Sequence, residues 1–361
     1  MLEHYFNKIN LDISSYPNQL GSVINAHLSE FPDLDHAKVA LIGYGENCNG
    51  IREHLYRLSK FNHAINTVVY LGNIKTHDEE HENQSALYLI IEELRNLNIV
   101  PVFIGKELDQ GFALYRGVKR SKDQITCVSS KIPVSEKQLL NKIHGDDPEN
   151  ICKINALAYQ NHFVSPEELA TTKSKNYSIL RLGNLKKNIE ESELYLRNSN
   201  LVLFDIDAIQ HADAPAKETI NPSGLTSDEA CQIAKYAGIS DNNCCFGIFG
   251  YVPQLDEREL TAALCAQMIW YFVDGFFNRM DDLPESHQDF IKYRCDFSDN
   301  DTPILFIKSK RTSRWWMKIE HPAEPNNSNL TLTVPCSYQD YQVAANGETP
   351  ERYLDALQSL K

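Results

Sequence analysis

Short runs of almost wholly apolar residues, separated by longer amphipathic stretches, constrain this chain more than any other feature. The runs lie at 38–43, 67–71, 100–105, 124–129, 177–182, 201–206 and 244–249. Most do not alternate apolar with polar, which is what strands buried on both faces of a parallel sheet require. Between them, periodicity predicts helices at 50–58, 79–97, 135–143, 187–197, 227–236 and 257–277. Strand and helix in alternation predict an α/β protein with a mostly parallel sheet covered on both faces. In such folds the chemistry sits in loops at the carboxyl ends of strands. The informative segments are therefore 43–49, 105–111, 129–133, 205–215 and 247–253.

The pattern changes after about residue 283. Residues 303–319 read as two strands around a turn at 309–313, followed by a Pro- and Asn-rich stretch, a strand at 331–334 and a helix from Pro350. The expectation is an α/β domain at 1–285 and a small β-rich C-terminal appendage at 286–361. A chain of 361 residues suits one large domain with such an addition.

The net charge of −14 argues against nucleic acid or anionic membrane as a partner, because both demand a basic surface. It leaves proteins and small molecules. Nine cysteines (48, 127, 152, 231, 244, 245, 265, 295 and 336), an odd number with no C-x-x-C, imply a reducing compartment rather than disulfides or a zinc knuckle. With no basic start leading into an apolar stretch, the N-terminus reads as no signal peptide, and the expected location is cytoplasmic. The most apolar helix, 260–277, carries Gln267 and Asp274 and reads as a buried helix, not a membrane span.

The sharpest local feature is Phe204-Asp205-Ile206-Asp207-Ala208. Carboxylates at i and i+2 at the end of a strand point to one face. Burying two like charges together requires a metal ion, another cation or hydrogen bonds. The motif alone reads rather as a pair of loop-end aspartates that cap the next turn or helix.

Its surroundings add to it. The stretch from Asp205 to Pro215, with Asn221-Pro222-Ser223-Gly224-Leu225 and Glu229-Ala230, resembles the third metal-binding stretch of the ureohydrolase family, which includes arginase, agmatinase and formiminoglutamase. Gly50-Ile51-Arg52 resembles that family's early helix, and Leu71-Gly72-Asn73-Ile74 its "DLGD" strand end. Pro101-Val102-Phe103-Ile104-Gly105 resembles the strand before its "GGGHE" turn, and Thr261 to Gln267 its final helix. Asp213-Ala214-Pro215, Gln267-Met268-Ile269-Trp270, Arg314-Trp315-Trp316-Met317 and Val334-Pro335-Cys336 are similar to a divergent arginase-like branch of Bacteroidetes labelled formimidoylglutamase. The resemblance implies a three-layer α/β/α sandwich. It also implies two manganese ions that activate a hydroxide against a guanidinium or formimino carbon, held by six ligands.

Most of those ligands are replaced. The "GGGHE" histidine corresponds to Leu108, and the "DAHxD" ligands fall near Ser129, Lys131 and Pro133. Only Asp205 and Asp207 remain in place. The late glutamate that grips the substrate corresponds to Gly250. The resemblance thus implies a catalytically degenerate scaffold, with no cofactor expected and a protein partner or homo-oligomer in prospect. Two alternatives stand beside it: a Mn2+-dependent formimidoylglutamase, and a small-molecule sensor using the vestigial pocket.

Four further expectations follow. Lys131, at a former histidine position, is expected to act as a buried counter-ion to Asp205 and Asp207. His77 and His81 have i, i+4 spacing but open an acidic helix start and read as solvated. His211, Glu107 and Asp109 are marginal ligand candidates near the site. Arg314, Trp315 and Trp316, among Lys308, Lys310, Arg311 and Lys318, form a basic–aromatic cluster expected to contribute to an interface. The competing reading packs one tryptophan on the core of a two-stranded ribbon.

Overall fold

The computed structural model describes residues 2–9, 17–45, 48–61, 67–120, 123–146, 152–284, 289–297, 300–321 and 330–358. Residues 1–278 and 279–361 form two compact units. The expected boundary at 285/286, residues 46–47 of the 43–49 loop, and the Pro- and Asn-rich stretch at 322–329 lie outside the described residues.

The first unit is built on a ten-stranded sheet. Its strands are β1 (Phe6–Asn7), β2 (Asn25–Ala26), β3 (Val39–Tyr44), β4 (Val68–Ile74), β5 (Val100–Ile104), β6 (Gln124–Val128), β7 (Lys153–Tyr159), β8 (Ser178–Arg181), β9 (Leu201–Asp205) and β10 (Cys245–Phe249). The order is β1-β4-β3-β5-β10-β9-β6-β7-β8, with β2 also on β4. All neighbours run parallel except β1, which is antiparallel to β4. The missing polar alternation has the expected cause. Val202 and Phe204 of β9 join the core on one face, while Leu201 and Leu203 join the core on the other.

Helices Asn49–Arg57, Ser227–Ile239 and Leu260–Phe277 cover the first face; Glu80–Asn96, Gly111–Val118 and Leu139–Gly145 cover the second. Leu260–Phe277 is long and apolar enough to cross a membrane, but 56% of it is buried inside the protein. It lies against Ser227–Ile239 so closely that a Cβ on Gly238 would stand 2.1 Å from the Phe272 carbonyl oxygen.

Two readings of the sequence needed correction here. The strand β7 falls in a stretch for which no strand was expected. The predicted helix at 187–197 is two short helices, Leu182–Lys187 and Glu191–Leu196. The C-cap of the first, Asn188, adopts an extended backbone (φ −150°, ψ 91°) and breaks the run.

The second unit is a four-stranded antiparallel sheet, β11 (Phe290–Phe297), β12 (Asn300–Ser309), β13 (Trp315–His321) and β14 (Leu330–Cys336), in that order. The predicted turn at 309–313 joins β12 to β13, while β11 was not anticipated. Helices Tyr338–Ala345 and Glu351–Gln358 follow. Ala344, Tyr353 and Ala356 from these helices join Phe306, Trp315, Met317 and Val334 in a core of their own. A reciprocal cap starts the first helix: the Ser337 hydroxyl accepts the Asp340 amide, and the Asp340 carboxylate accepts the Ser337 amide at 2.7 Å.

Candidate functional site at the carboxyl ends of the central strands

Strands β5, β10, β9 and β6 are consecutive neighbours and parallel, so the loops leaving their carboxyl ends meet. This brings Lys106–Leu108, Gly250, Asp205–Asp207 and Ser129–Lys131 to the same edge of the sheet. The edge is tied by backbone bonds: the Gly105 amide donates to Ile248 at 2.8 Å, and the Gly250 amide to Lys106 at 3.1 Å.

Asp205 is the last residue of β9 and is half-buried. Its Oδ1 accepts the Asp207 amide at 2.9 Å, and its Oδ2 lies 3.5 Å from the Ser129 hydroxyl. Asp207 sits one turn on, in a 3-10 turn over Ile206–Ala208, and is 8% exposed. Its Oδ2 accepts from the Ser130 hydroxyl, and its Oδ1 has no hydrogen-bond partner among the described residues. The two carboxylates are therefore met by two consecutive serines leaving β6. The turn-capping alternative holds for Asp205 as well, since its carboxylate starts the turn that carries Asp207. Burial pushes the Asp205 carboxyl up to about 6; the Asp207 amide bond pulls it back, the Asp207 charge raises it further, and Lys131 and Lys217 lower it.

Gly250 closes the other side. Its φ is +90°, and a Cβ there would lie 2.8 Å from Asp205 Oδ1 and 3.3 Å from the Ile206 side chain. The Asp205 carboxylate occupies the space into which a longer residue at 250 would project, and the left-handed backbone favours glycine.

Lys131 is not the buried counter-ion that its position suggested. It is exposed, its ammonium lies 6.0 Å over the Phe163 ring, and it makes no ion pair within 4.0 Å to either aspartate. The physical reason is the direction of the chain. Ser129 and Ser130 turn inward at the end of β6, at 3% and 0% exposure, and Ile132 packs into the core on the second face. Lys131, between them, points outward and acts on Asp205 only through space.

The buried cation is Lys217, which the sequence reading did not single out. It is 3% exposed, and its ammonium donates to the carbonyls of Ile206 (3.3 Å), Asp207 (3.5 Å) and Ile209. Burial lowers its pKa, while the charges of Asp207 and Asp205 oppose that shift. Its loop is returned to β9 by a backbone closure: Leu225 donates to Ala208, Gln210 to Leu225, and His211 to Asn221.

The remaining expected positions are distributed differently. Leu108 packs at the margin of the second-face core, and Pro133 is half-buried. Glu107 pairs with Lys106 at 3.3 Å and Asp109 with Lys142 at 2.6 Å, so both acids are engaged by surface lysines. His211 is half-buried, with Nδ1 unpartnered among the described residues. His77 and His81 are exposed and lie 3.9 and 4.0 Å from Glu82 and Glu79. No group of three or more His, Cys, Asp or Glu side chains that could hold a metal ion comes together among the described residues.

The basic–aromatic cluster is also corrected. Trp315 and Trp316 are 6% and 1% exposed, so neither indole offers a contact surface. Trp315 stacks on Tyr293 and Tyr341 with Lys308 above it, and Trp316 meets the edge of Phe290. Consecutive residues on a strand face opposite ways, and in β13 both faces are covered. Arg314 is half-buried.

A second buried cation lies at the same end of the sheet. Arg52, 2% exposed, donates to Asn49 at 2.7 Å and Asn73 at 3.5 Å and stands 5.1 Å over Tyr70. It forms no ion pair among the described residues, and its Nε has no partner among them.

Comparison with known proteins places this geometry. A sequence model of the arginase family matches residues 43–274. The fold is similar to that of formimidoylglutamase from Bacillus subtilis, at 18% identity and a TM-score of 0.63 over 75% of this chain and 97% of that one. It is similar to Trypanosoma cruzi formiminoglutamase with Mn2+, at 18% identity and 0.64 over 73% and 99%. Agmatine ureohydrolase of Thermoplasma volcanium follows at 17% identity and 0.59 over 74% and 96%. No curated protein matches the chain by sequence.

Proposed function

The chain belongs to the arginase family, and we propose that it is a member without hydrolase activity, whose fold serves as a scaffold for assembly with a second copy or another protein. One observation carries this reading. The strand ends that meet at the site present Leu108, Ser129, Ser130, Lys131, Asp205, Asp207 and Gly250, together with Glu107, which pairs with Lys106. That leaves two inward carboxylates and no histidine. A two-manganese centre needs more donors than that. The two carboxylates are in addition engaged by Ser129, Ser130 and a backbone amide. These residues do not fit the pair of ions. Nine cysteines outside any disulfide support a reducing, cytoplasmic setting.

The test is metal content together with turnover. Protein purified with Mn2+ is expected to hold well under one ion per chain and to release no formamide from formiminoglutamate and no urea from arginine or agmatine. Two tightly held ions, with turnover lost in Asp205→Ala, would establish instead the formimidoylglutamase reading that the names of the structural neighbours suggest.

Arg52 favours a second reading, a small-molecule sensor. A buried guanidinium with neutral partners is a site that an anionic group would satisfy. Under that reading a small anionic or zwitterionic compound raises the melting temperature without being consumed, and Arg52→Gln removes the effect.

A further inference from the structure

The site that does not fit a metal pair still carries charge that must be balanced. Two aspartates one residue apart, one 8% exposed and the other half-buried, repel each other unless a positive charge is near. Lys131 is in water. Lys217 is 3% exposed and sits under the turn that joins the two aspartates. We propose that Lys217 is the resident cation of this site, holding the Asp205–Asp207 turn and offsetting its charge in the absence of divalent metal.

Donor counting supports the assignment. The Lys217 nitrogen meets three carbonyl oxygens, those of Ile206, Asp207 and Ile209. An ammonium has three N–H donors and a neutral amine two, so only the charged form can direct an N–H at each of the three carbonyls. With all three donors directed at carbonyls, Lys217 is no nucleophile; it is a positioning residue. It makes no ion pair within 4.0 Å to either aspartate. It therefore acts in two ways: it binds the backbone between and beyond the aspartates, and it places a positive field beside them. In a site shielded from water that field is felt more strongly than at the surface.

The inference rests on the reading of the site as metal-free, and its test is separate from the test of turnover. Melting temperatures of the full chain would be measured in chelator and in excess Mn2+ for four proteins: the unaltered chain, Lys217→Met, Asp205→Asn/Asp207→Asn, and the triple variant. The unaltered chain should melt at the same temperature with and without Mn2+. Lys217→Met should melt roughly 6–10 °C lower, the loss expected when one side of a buried charge arrangement is removed from a protein of this size. The triple variant should recover at least half of that loss, because neutral amides no longer need the cation. Should Lys217→Met fail to fold, a triple variant that does fold gives the same answer. An unchanged melting temperature in Lys217→Met would overturn the proposal. So would a triple variant no better than Lys217→Met, which would reduce Lys217 to a cap on three carbonyls. Failure of this pattern in an inactive protein would refute the role of Lys217 alone; turnover by the unaltered chain would refute the non-catalytic reading, whatever the melting data show.

Discussion

Asp205 stores strain of an electrostatic kind. Its carboxyl is pushed up to about 6 by burial, from an ordinary value of 3.8. A folded-state value above the unfolded one means the folded protein holds the extra proton between about pH 4 and 6. Stability from this group is thus complete below pH 4, falls as pH rises through that window, and stays lost above about 6. Two units correspond to roughly 3 kcal/mol as an upper figure, since the residue is only half-buried. Asp205→Asn keeps an oxygen for the Asp207 amide and removes the charge. It should raise stability at pH 7 by about 1–3 kcal/mol and flatten the dependence between pH 4 and 6. Urea unfolding at pH 4 and pH 7 checks this, and a variant that is less stable at both would contradict it. The two aspartates could be read from the sequence because a paired-acid motif at a strand end is a local signal. Lys217 could not. Pro215-Ala216-Lys217-Glu218-Thr219 has the composition of a polar loop, and what buries the lysine is the return of residues 221–225 onto β9, a closure with no local signature.

At the level of elements, helix Ser227–Ile239 meets helix Leu260–Phe277 through glycine. A Cβ at Gly238 would stand 2.1 Å from the Phe272 carbonyl oxygen, and one at Gly275 would stand 2.5 Å from that of Lys235. Backbone atoms cannot swing aside as a side chain can. In an exposed helix Gly→Ala stabilises by about 0.5–1 kcal/mol through backbone entropy. Here overpacking reverses the sign, and Gly238→Ala should cost about 1–3 kcal/mol, read as a lower denaturant midpoint with unchanged slope. A neutral or stabilising result would mean that the helices separate easily. Periodicity revealed both of these helices, and the apolar runs revealed most strands of the large sheet, because burial on both faces writes a continuous apolar signature. It missed β7, whose Ile154-Asn155-Ala156-Leu157-Ala158 mixes helix-favouring alanine and leucine with an asparagine. That asparagine is 1% exposed and bonded to Thr126 and the Tyr195 carbonyl, partners known only once the sheet has assembled.

Across the whole molecule the nine cysteines are spread through both units, and none forms a disulfide. Eight are buried and Cys244 is half-buried. Burial pushes the thiols up, Cys48, Cys152 and Cys231 to about 12 and Cys245 well above the ordinary value. The reactive species is the thiolate. Inaccessibility and a raised pKa therefore act together against modification. Cys244 differs in exposure, but its Sγ is 3.1 Å from the Asn200 carbonyl oxygen, which holds the thiol as a donor. A thiol reagent applied to the native protein near neutral pH should modify at most one cysteine quickly, and in denaturant all nine. The fast site should vanish in Cys244→Ser with the fold intact by circular dichroism. The remaining eight should react only at the rate at which the protein opens, so their rates report local stability in the unit that surrounds each. Thiols of the second unit, Cys295 and Cys336, would then react separately from the others if that unit opens alone, and together with them if the chain unfolds as one body. Rapid native modification of three or more thiols would contradict the packing described for the three cores.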